Sequence, residues 1–367
     1  MNQAAPDTES AAGHRASALV LALIMALGFA WGVARLAGLR MAPSEWQPAT
    51  WVDGHAGKLV NAALGTLPGQ ASVDRWAAAL RYRVLGDLGT QVLEGCPGWL
   101  FYRDGLRVPA GHAEALAQRV QLMRHWSERL RRSGVQLLVA TVPDKSRTEA
   151  RQLCGLQVAP AALARWDRWY AALQSAGVAH VDVRAQLASL PQAFFRTDVH
   201  MAPAGAQRFV DSVAPALLAW LGGPGAQQFA TTTGQSAEPR MGDLIVLAGL
   251  GQAPEGWRPP LERIIPEHIE AQRSGGLLDD TAPVEVLLAG DSNGLRSGLA
   301  ERLGRSLGRE VWNLSQDGGY FSGAMLAALE REDRWRGHLK VVVWVFSELS
   351  LSMPVSADEQ RAWAAAQ

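Results

Sequence analysis

The sequence predicts an α/β fold, a parallel sheet flanked by helices, and three observations carry that reading. Short apolar runs end at turn residues, the segments between them have helical spacing, and the two alternate β-α-β-α-β from Trp99 onward. Residues 135–142 and 339–346 are continuous apolar runs, as strands buried on both faces require. The second, with Val341-Val342-Val343-Trp344, reads as a central strand, and parallel neighbours imply right-handed crossovers.

The first element is not part of that sheet. Residues 16–34 carry no charge and are rich in Leu, Ala and Val, enough helix to cross a bilayer core of about 30 Å. The run exceeds a signal peptide's apolar core, so an uncleaved anchor over 16–38 is favoured over cleavage near Gly28-Phe29-Ala30. Arg15 precedes it while Arg35 and Arg40 follow, so charge alone leaves its orientation open. Residues 1–15 then form a tail, and 39–90 a stalk with leading helices, a turn at 65–69 and an arginine-rich, partly helical stretch at 75–89.

From residue 91 to 353 the spacing predicts one domain. Residues 99–102 give a short strand. Residues 112–133 give an amphipathic helix with Leu116, Val120, Met123, Trp126 and Leu130 on one face, ended by Gly134. Pro143 stops the 135–142 strand, leaving Asp144 and Lys145 just past its end. A helix over 161–176 and a strand over 178–183 follow, then a helix over 204–221 with Phe209, Val213, Leu217 and Trp220 on its apolar stripe. Residues 222–239 read as a loop without chemistry, and 252–260 as another Gly/Pro stretch. The run ending at Gly290 is a strand. Leu295, Leu299, Leu303 and Leu307 place one helix over 294–307. A strand over 310–314 and a helix over 322–332 lead to the 339–346 strand, and 354–367 is a polar, Ala-rich tail.

Composition excludes more than it assigns. Formal charge balances to zero, so nothing marks a nucleic-acid partner. The 14 tryptophans are mainly core, with some free to stack on sugar rings. His112, His125, His180, His268 and His338 lack metal-ligand spacing, and neither a metal nor a cofactor is expected.

Two segments carry chemistry. Gly290-Asp291-Ser292 falls at a strand-to-helix turn, at the carboxyl edge where open α/β sheets hold their sites. There a serine can present its hydroxyl and its own N–H as an oxyanion donor, although Asp291 and Ser292 would serve equally as helix caps. Asp198-Val199-His200 before a helix is, alone, a capping Asp beside an exposed His. Together the segments supply Ser292 as nucleophile, His200 as base and Asp198 as the acid that orients it. Gly318 and Gly319 follow another strand end and are candidates for the second oxyanion N–H, with Asn313 and Gln316 as side-chain alternatives and Tyr320 beside them.

This order of motifs resembles the circularly permuted SGNH-hydrolase-like proteins of polysaccharide O-acetylation, the AlgJ/AlgX-like family. Asp198-x-His200 before Pro203-Ala204-Gly205-Ala206 and the later Gly290-Asp291-Ser292 carry it. So do Gly98-Trp99-Leu100-Phe101, Pro143-Asp144-Lys145 and Gly242-Asp243-Leu244. The similarity covers residues 99–346; each motif is short and their order is the specific part. Glu348 occupies the place where the family's last strand ends in a charged residue. Asn293 departs from the bulky residue of many relatives, which puts the acyl pocket in question. No length remains for a carbohydrate-binding module, so the AlgJ type is the nearer pattern.

The resemblance implies a periplasmic O-acetyltransferase, anchored in a bacterial inner membrane, that moves acetyl through the triad onto an alginate- or cellulose-like exopolysaccharide. It implies a membrane-spanning acyltransferase of the MBOAT type as acetyl supplier, and for Lys145 an active-site wall or polyanion contact. In a periplasmic chain Cys96 and Cys154, the only cysteines, form either one disulfide or two unpaired thiols. A periplasmic acetylesterase and a non-catalytic assembly protein are the alternatives.

Overall fold

The computed structural model describes residues 8–40, 42–52, 55–65, 70–272 and 283–366. The chain divides into two compact units, residues 1–77 and 78–367. In the first, α1 (Thr8–Ala37) contains a stretch, Ser17–Ala37, long and apolar enough to cross a membrane. Further helices span Pro48–Val52 and His55–Leu64, and another, Gln70–Leu85, runs across the boundary. Most of the expected 65–69 turn, and residues 1–7 of the expected tail, lie outside the described residues.

The second unit begins with β1 (Val92–Glu94), β2 (Leu100–Tyr102), α2 (His112–Arg132), β3 (Gln136–Val142), α3 (Pro160–Ser175), β4 (Ala179–His180) and α4 (Pro203–Leu221). Four short strands follow: β5 (Phe229–Thr233), β6 (Glu238–Arg240), β7 (Glu262–Ile264) and β8 (Glu267–Ala271). Then come β9 (Val286–Gly290), α5 (Ser292–Arg296), α6 (Leu299–Leu307), β10 (Val311–Asn313), α7 (Gly323–Glu330), β11 (Val341–Ser347) and α8 (Ala357–Ala365). The main sheet has the order β10-β9-β11-β3-β4, every pair parallel.

Alternation along β11 builds a core on each face of that sheet. Val342, Trp344 and Phe346 pack with Trp126, Trp169 and Phe321 beneath α2, α3 and α7. Val341, Val343 and Val345 pack with Phe209, Val213 and Leu303 beneath α4 and α6. Each such fully buried side chain contributes roughly 1.5–3 kcal/mol, and opposite faces of one strand serve both layers.

Four expectations need correction. The strand at 99–102 is not in the parallel sheet: β2 pairs antiparallel with β1, because Gly98 (φ 79°) reverses the chain too soon for a crossover. The helix expected over 294–307 is two helices, broken at Gly298 (φ 62°), and Leu295 is exposed rather than on the stripe. The 222–239 loop carries β5 and β6, which pair with β8 and β7. The polar tail from residue 354 holds α8, capped by Ser356 and tied to α2 by a buried Arg119–Glu359 ion pair at 2.9 Å.

Candidate active site

Parallel register brings the carboxyl ends of β3, β9, β10 and β11 to one edge, and the residues just past them line a cavity of about 340 Å³. Pro143 and Asp144 follow β3, Asp291 and Ser292 follow β9, Asp317 and Gly318 lie beyond β10, and Leu349 lies beyond β11. Asp291 is buried: its Oδ1 accepts from Asn293 N at 2.8 Å and its Oδ2 from Ser347 N at 2.7 Å. Burial raises its carboxyl above the ordinary range against those two N–H bonds. Asp291 is therefore the cap, and Ser292, half-buried, faces the cavity. Gly290 and Gly294 let Ser315 pack beneath this turn; a Cβ at either position would stand 2.3 Å from its Oγ.

His200 and Asp198 arrive on the loop before α4. A bridge between Phe194 and Met201 folds that loop back on itself, and Glu149 accepts from the Ala193 and Phe194 N–H groups at 2.7 and 3.0 Å. Gly205 lets the start of α4 sit against Ala193, whose carbonyl oxygen would be 2.0 Å from a Cβ there. Asp198 Oδ1 accepts from His200 Nδ1 at 2.6 Å, which directs Nε2 away from the acid. Nε2 is buried without a hydrogen-bond partner among the described residues, and His200 lines the same cavity as Ser292. Burial would raise Asp198, but the His200 bond, the His200 charge and the Arg240 guanidinium, 2.6 Å from Oδ2, hold its carboxyl well below the usual range.

The other predicted residues separate. Gly318 (φ 69°) and Tyr320 (φ 44°) line the cavity. Gly319 spends its N–H on the Gln316 carbonyl at 3.1 Å, and Asn313 Oδ1 accepts from Ser315 N at 2.9 Å; neither lines the cavity. Lys145 borders it, yet its three N–H groups donate to the carbonyls of Leu100, Arg196 and Asp198 at 2.6, 2.8 and 3.0 Å. Burial pushes its ammonium down to about 8 against the pull of Glu262 and Asp198. Of the two roles expected of it, wall or polyanion contact, Lys145 takes the first, and its donors form a staple holding the Asp198 loop to β2. Glu348 is buried between Arg147 and Arg165, at 2.7 and 3.2 Å, and accepts from Asp144 N at 2.9 Å, so it braces the strand ends. The cavity's aromatic residues are Phe101, Tyr102, Phe194 and Tyr320; no tryptophan lines it among the described residues. Cys96 and Cys154 form a disulfide, with Cα atoms 4.9 Å apart.

Two residues escaped sequence reasoning. Asp243 Oδ1 accepts from Val199 N at 3.0 Å, while its Oδ2 lies 3.5 Å from His200 Nδ1. Burial first, then the Asp198 charge, raises its carboxyl to about 6. Gly242 permits this approach, since a Cβ there would meet the Thr197 carbonyl at 2.0 Å. The Gly242-Asp243 motif was the available signal. Arg240, stacked 3.8 Å over the Phe195 ring, had none. Asp198, His200 and Asp243 also make the one potential cation-ligand group among the described residues. Nδ1 and Arg240 already occupy Asp198's oxygens, which suits an acid-base relay better than a metal.

Comparison with known proteins identifies the family and the fold. Residues 92–348 match the model of the SGNH hydrolase-like domain, acetyltransferase AlgX. A probable alginate O-acetylase AlgJ of Pseudomonas fluorescens is 25% identical over 367 residues, covering 95% of this chain and 89% of the relative. That of Azotobacter vinelandii is 26% identical over 77% of this chain and 75% of its own length. The O-acetyltransferase domain of Pseudomonas putida AlgJ shares the fold, with a TM-score of 0.65 at 24% identity over 76% of this chain and 99% of that one. The chain belongs to the AlgX-type SGNH hydrolase-like acetyltransferase family.

Proposed function

We propose that this chain is a polysaccharide O-acetyltransferase working through Ser292, His200 and Asp198. The observation that carries the reading is one cavity lined by both Ser292 and a His200 whose Nδ1 is fixed and whose Nε2 is unengaged. Ser292 Oγ attacks the acetyl carbonyl as Nε2 takes its proton, and the donor's leaving oxygen recovers that proton. A sugar hydroxyl, deprotonated by the same nitrogen, then attacks the acetyl-serine ester, and the proton returns to Ser292. Ser292 opens its helix, so its N–H has no intrahelical acceptor and is one oxyanion donor; Gly318 supplies the second candidate. Asp198 stabilises the imidazolium formed in both halves.

The relatives' name makes alginate their acceptor, and a polysaccharide acceptor is carried over from it. The apolar stretch Ser17–Ala37 and the Cys96–Cys154 bond favour a single-pass inner-membrane protein with its second unit in the periplasm, an oxidising compartment. The acetyl group would arrive from an MBOAT-type membrane acyltransferase. The test is the full-length chain in detergent with an acetyl ester donor and oligosaccharides, beside Ser292→Ala. Acetylated oligosaccharide from the wild type alone supports transfer. Free acetate alone marks an esterase, and polymer acetylation surviving Ser292→Ala in cells marks an assembly protein.

A further inference from the structure

We infer that Arg240 and Glu262, cross-strand partners on β6 and β7, form a clamp that positions the Asp198–His200 loop for proton transfer. The inference rests on the reading of His200 as the base for Ser292. Pairing of β6 with β7 sets Arg240 directly opposite Glu262, and side chains opposite each other in an antiparallel pair leave from the same face. Opposite charges so placed can pair with each other. Here each takes its partner from the catalytic loop instead, Arg240 from Asp198 and Glu262 from Arg196.

Arg240 fixes the carboxylate. It stands 2.6 Å from Asp198 Oδ2, with its guanidinium stacked on Phe195. Asp198 Oδ1 is spent on His200, accepting from the backbone N at 3.0 Å and from Nδ1 at 2.6 Å. Without Arg240, Oδ2 would keep the Asp243 N–H at 3.3 Å, and the carboxylate plane that orients the imidazole would be freer to turn. Glu262 acts one residue earlier. It is buried, its Oε2 accepts from Thr197 N at 3.1 Å and Thr197 Oγ1 at 3.2 Å, and its Oε1 accepts from Gln192 Nε2 at 3.0 Å. A carboxylate out of water needs those donors, so it and the Thr197 backbone hold each other in place. Lys145 and Glu149 grip the same loop from the β3 end, through the Arg196 and Asp198 carbonyls and the Ala193 and Phe194 N–H groups. The imidazole is thus placed by charges outside its own segment.

The experiment uses the full-length chain in detergent, as wild type, Arg240→Ala, Arg240→Gln and Glu262→Leu, with a chromogenic acetyl ester. Arg240→Ala should lose about tenfold to a hundredfold in kcat, with KM changed less than about threefold, as a displaced base predicts. The Arg240 side chain is 21% exposed, so a small cation can enter the space it leaves. Guanidinium chloride below denaturing concentration should therefore restore part of that loss, and sodium chloride of equal strength should not. Glu262→Leu should lose a similar factor that guanidinium leaves unrestored. Arg240→Gln keeps the stem over Phe195 and carries the same expectation on kcat if the alanine variant does not fold. Wild-type kcat in any of these variants overturns the inference, and so does an Arg240→Ala loss that guanidinium leaves untouched. The His200 Nδ1–H proton resonance is read without turnover: it should lie far downfield in wild type, move upfield in Arg240→Ala and return with guanidinium. An unmoved resonance overturns the clamp. Wild type that cleaves no ester loses the transferase reading, and the resonance then judges the clamp alone.

Discussion

Asp243 Oδ2 lies 3.5 Å from His200 Nδ1, the nitrogen that Asp198 Oδ1 already holds at 2.6 Å. The Asp243 N–H also donates to Asp198 Oδ2 at 3.3 Å. One imidazole therefore faces two carboxylates, one held ionised by Arg240 and His200 and one raised to about 6. Ionised Asp243 adds negative charge beside the imidazolium that forms during acyl transfer. Asp243→Asn should lower kcat/KM for ester hydrolysis roughly tenfold near pH 7, about one pKa unit of interaction. It should also remove part of the acid limb around pH 6. A pH–rate profile identical to wild type would deny Asp243 this role.

The same group gives a stability prediction of definite sign. A carboxyl raised in the fold favours folding when protonated, and that contribution is lost as pH rises through about 6. Asp243→Asn stays neutral throughout. Its melting temperature relative to wild type should therefore be higher near pH 8 than near pH 4, measured by thermal melts at both.

Lys145→Met keeps the length but removes the ammonium from three carbonyls, those of Leu100, Arg196 and Asp198, of which Arg196 still accepts from Leu100 N. The expected loss is about 2–4 kcal/mol in denaturant unfolding. Because one carbonyl belongs to Asp198, kcat should fall more than KM rises. A variant of full stability and activity would show that the staple is dispensable.

Removing the Cys96–Cys154 bond, 58 residues apart in sequence, should cost roughly 2–4 kcal/mol, since the unfolded chain regains the freedom of a long loop. The double serine variant should unfold at lower denaturant while keeping ester hydrolysis at low temperature. Neither cysteine lines the cavity.

Glu359→Ala would leave Arg119 buried without its carboxylate, although Met353 and Pro354 carbonyls still accept from it. A loss of about 3–5 kcal/mol is expected, and a chain ending before Ser356 should behave alike. Unchanged unfolding in both would make α8 an appendage.

Much of this arrangement is legible in residue order because parallel strands must be buried on both faces and must end at one edge. Runs 135–142 and 339–346 showed the first property; Pro143 and the Gly290-Asp291-Ser292 turn showed the second. Asp198 and His200, two residues apart, needed only a loop to meet. Other features were set by contacts distant in sequence. Gly298 broke a helix that leucine spacing alone would continue. Lys145 stands just past a strand end in the sequence, and nothing local shows that three carbonyls from two other segments close on it. Arg240 and Asp243 reach Asp198 across more than forty residues; the Gly242-Asp243 motif marked one of them, and no local pattern announces Arg240.

The most direct test is intact-protein mass spectrometry after brief exposure to an acetyl ester donor, on wild type, Ser292→Ala and His200→Ala. The account predicts a single added acetyl group on wild type, mapped to Ser292, absent from Ser292→Ala and at least about a thousandfold slower to form in His200→Ala. Acetyl transfer to a sugar by the Ser292→Ala protein, or an acetyl group trapped on another residue, would contradict it.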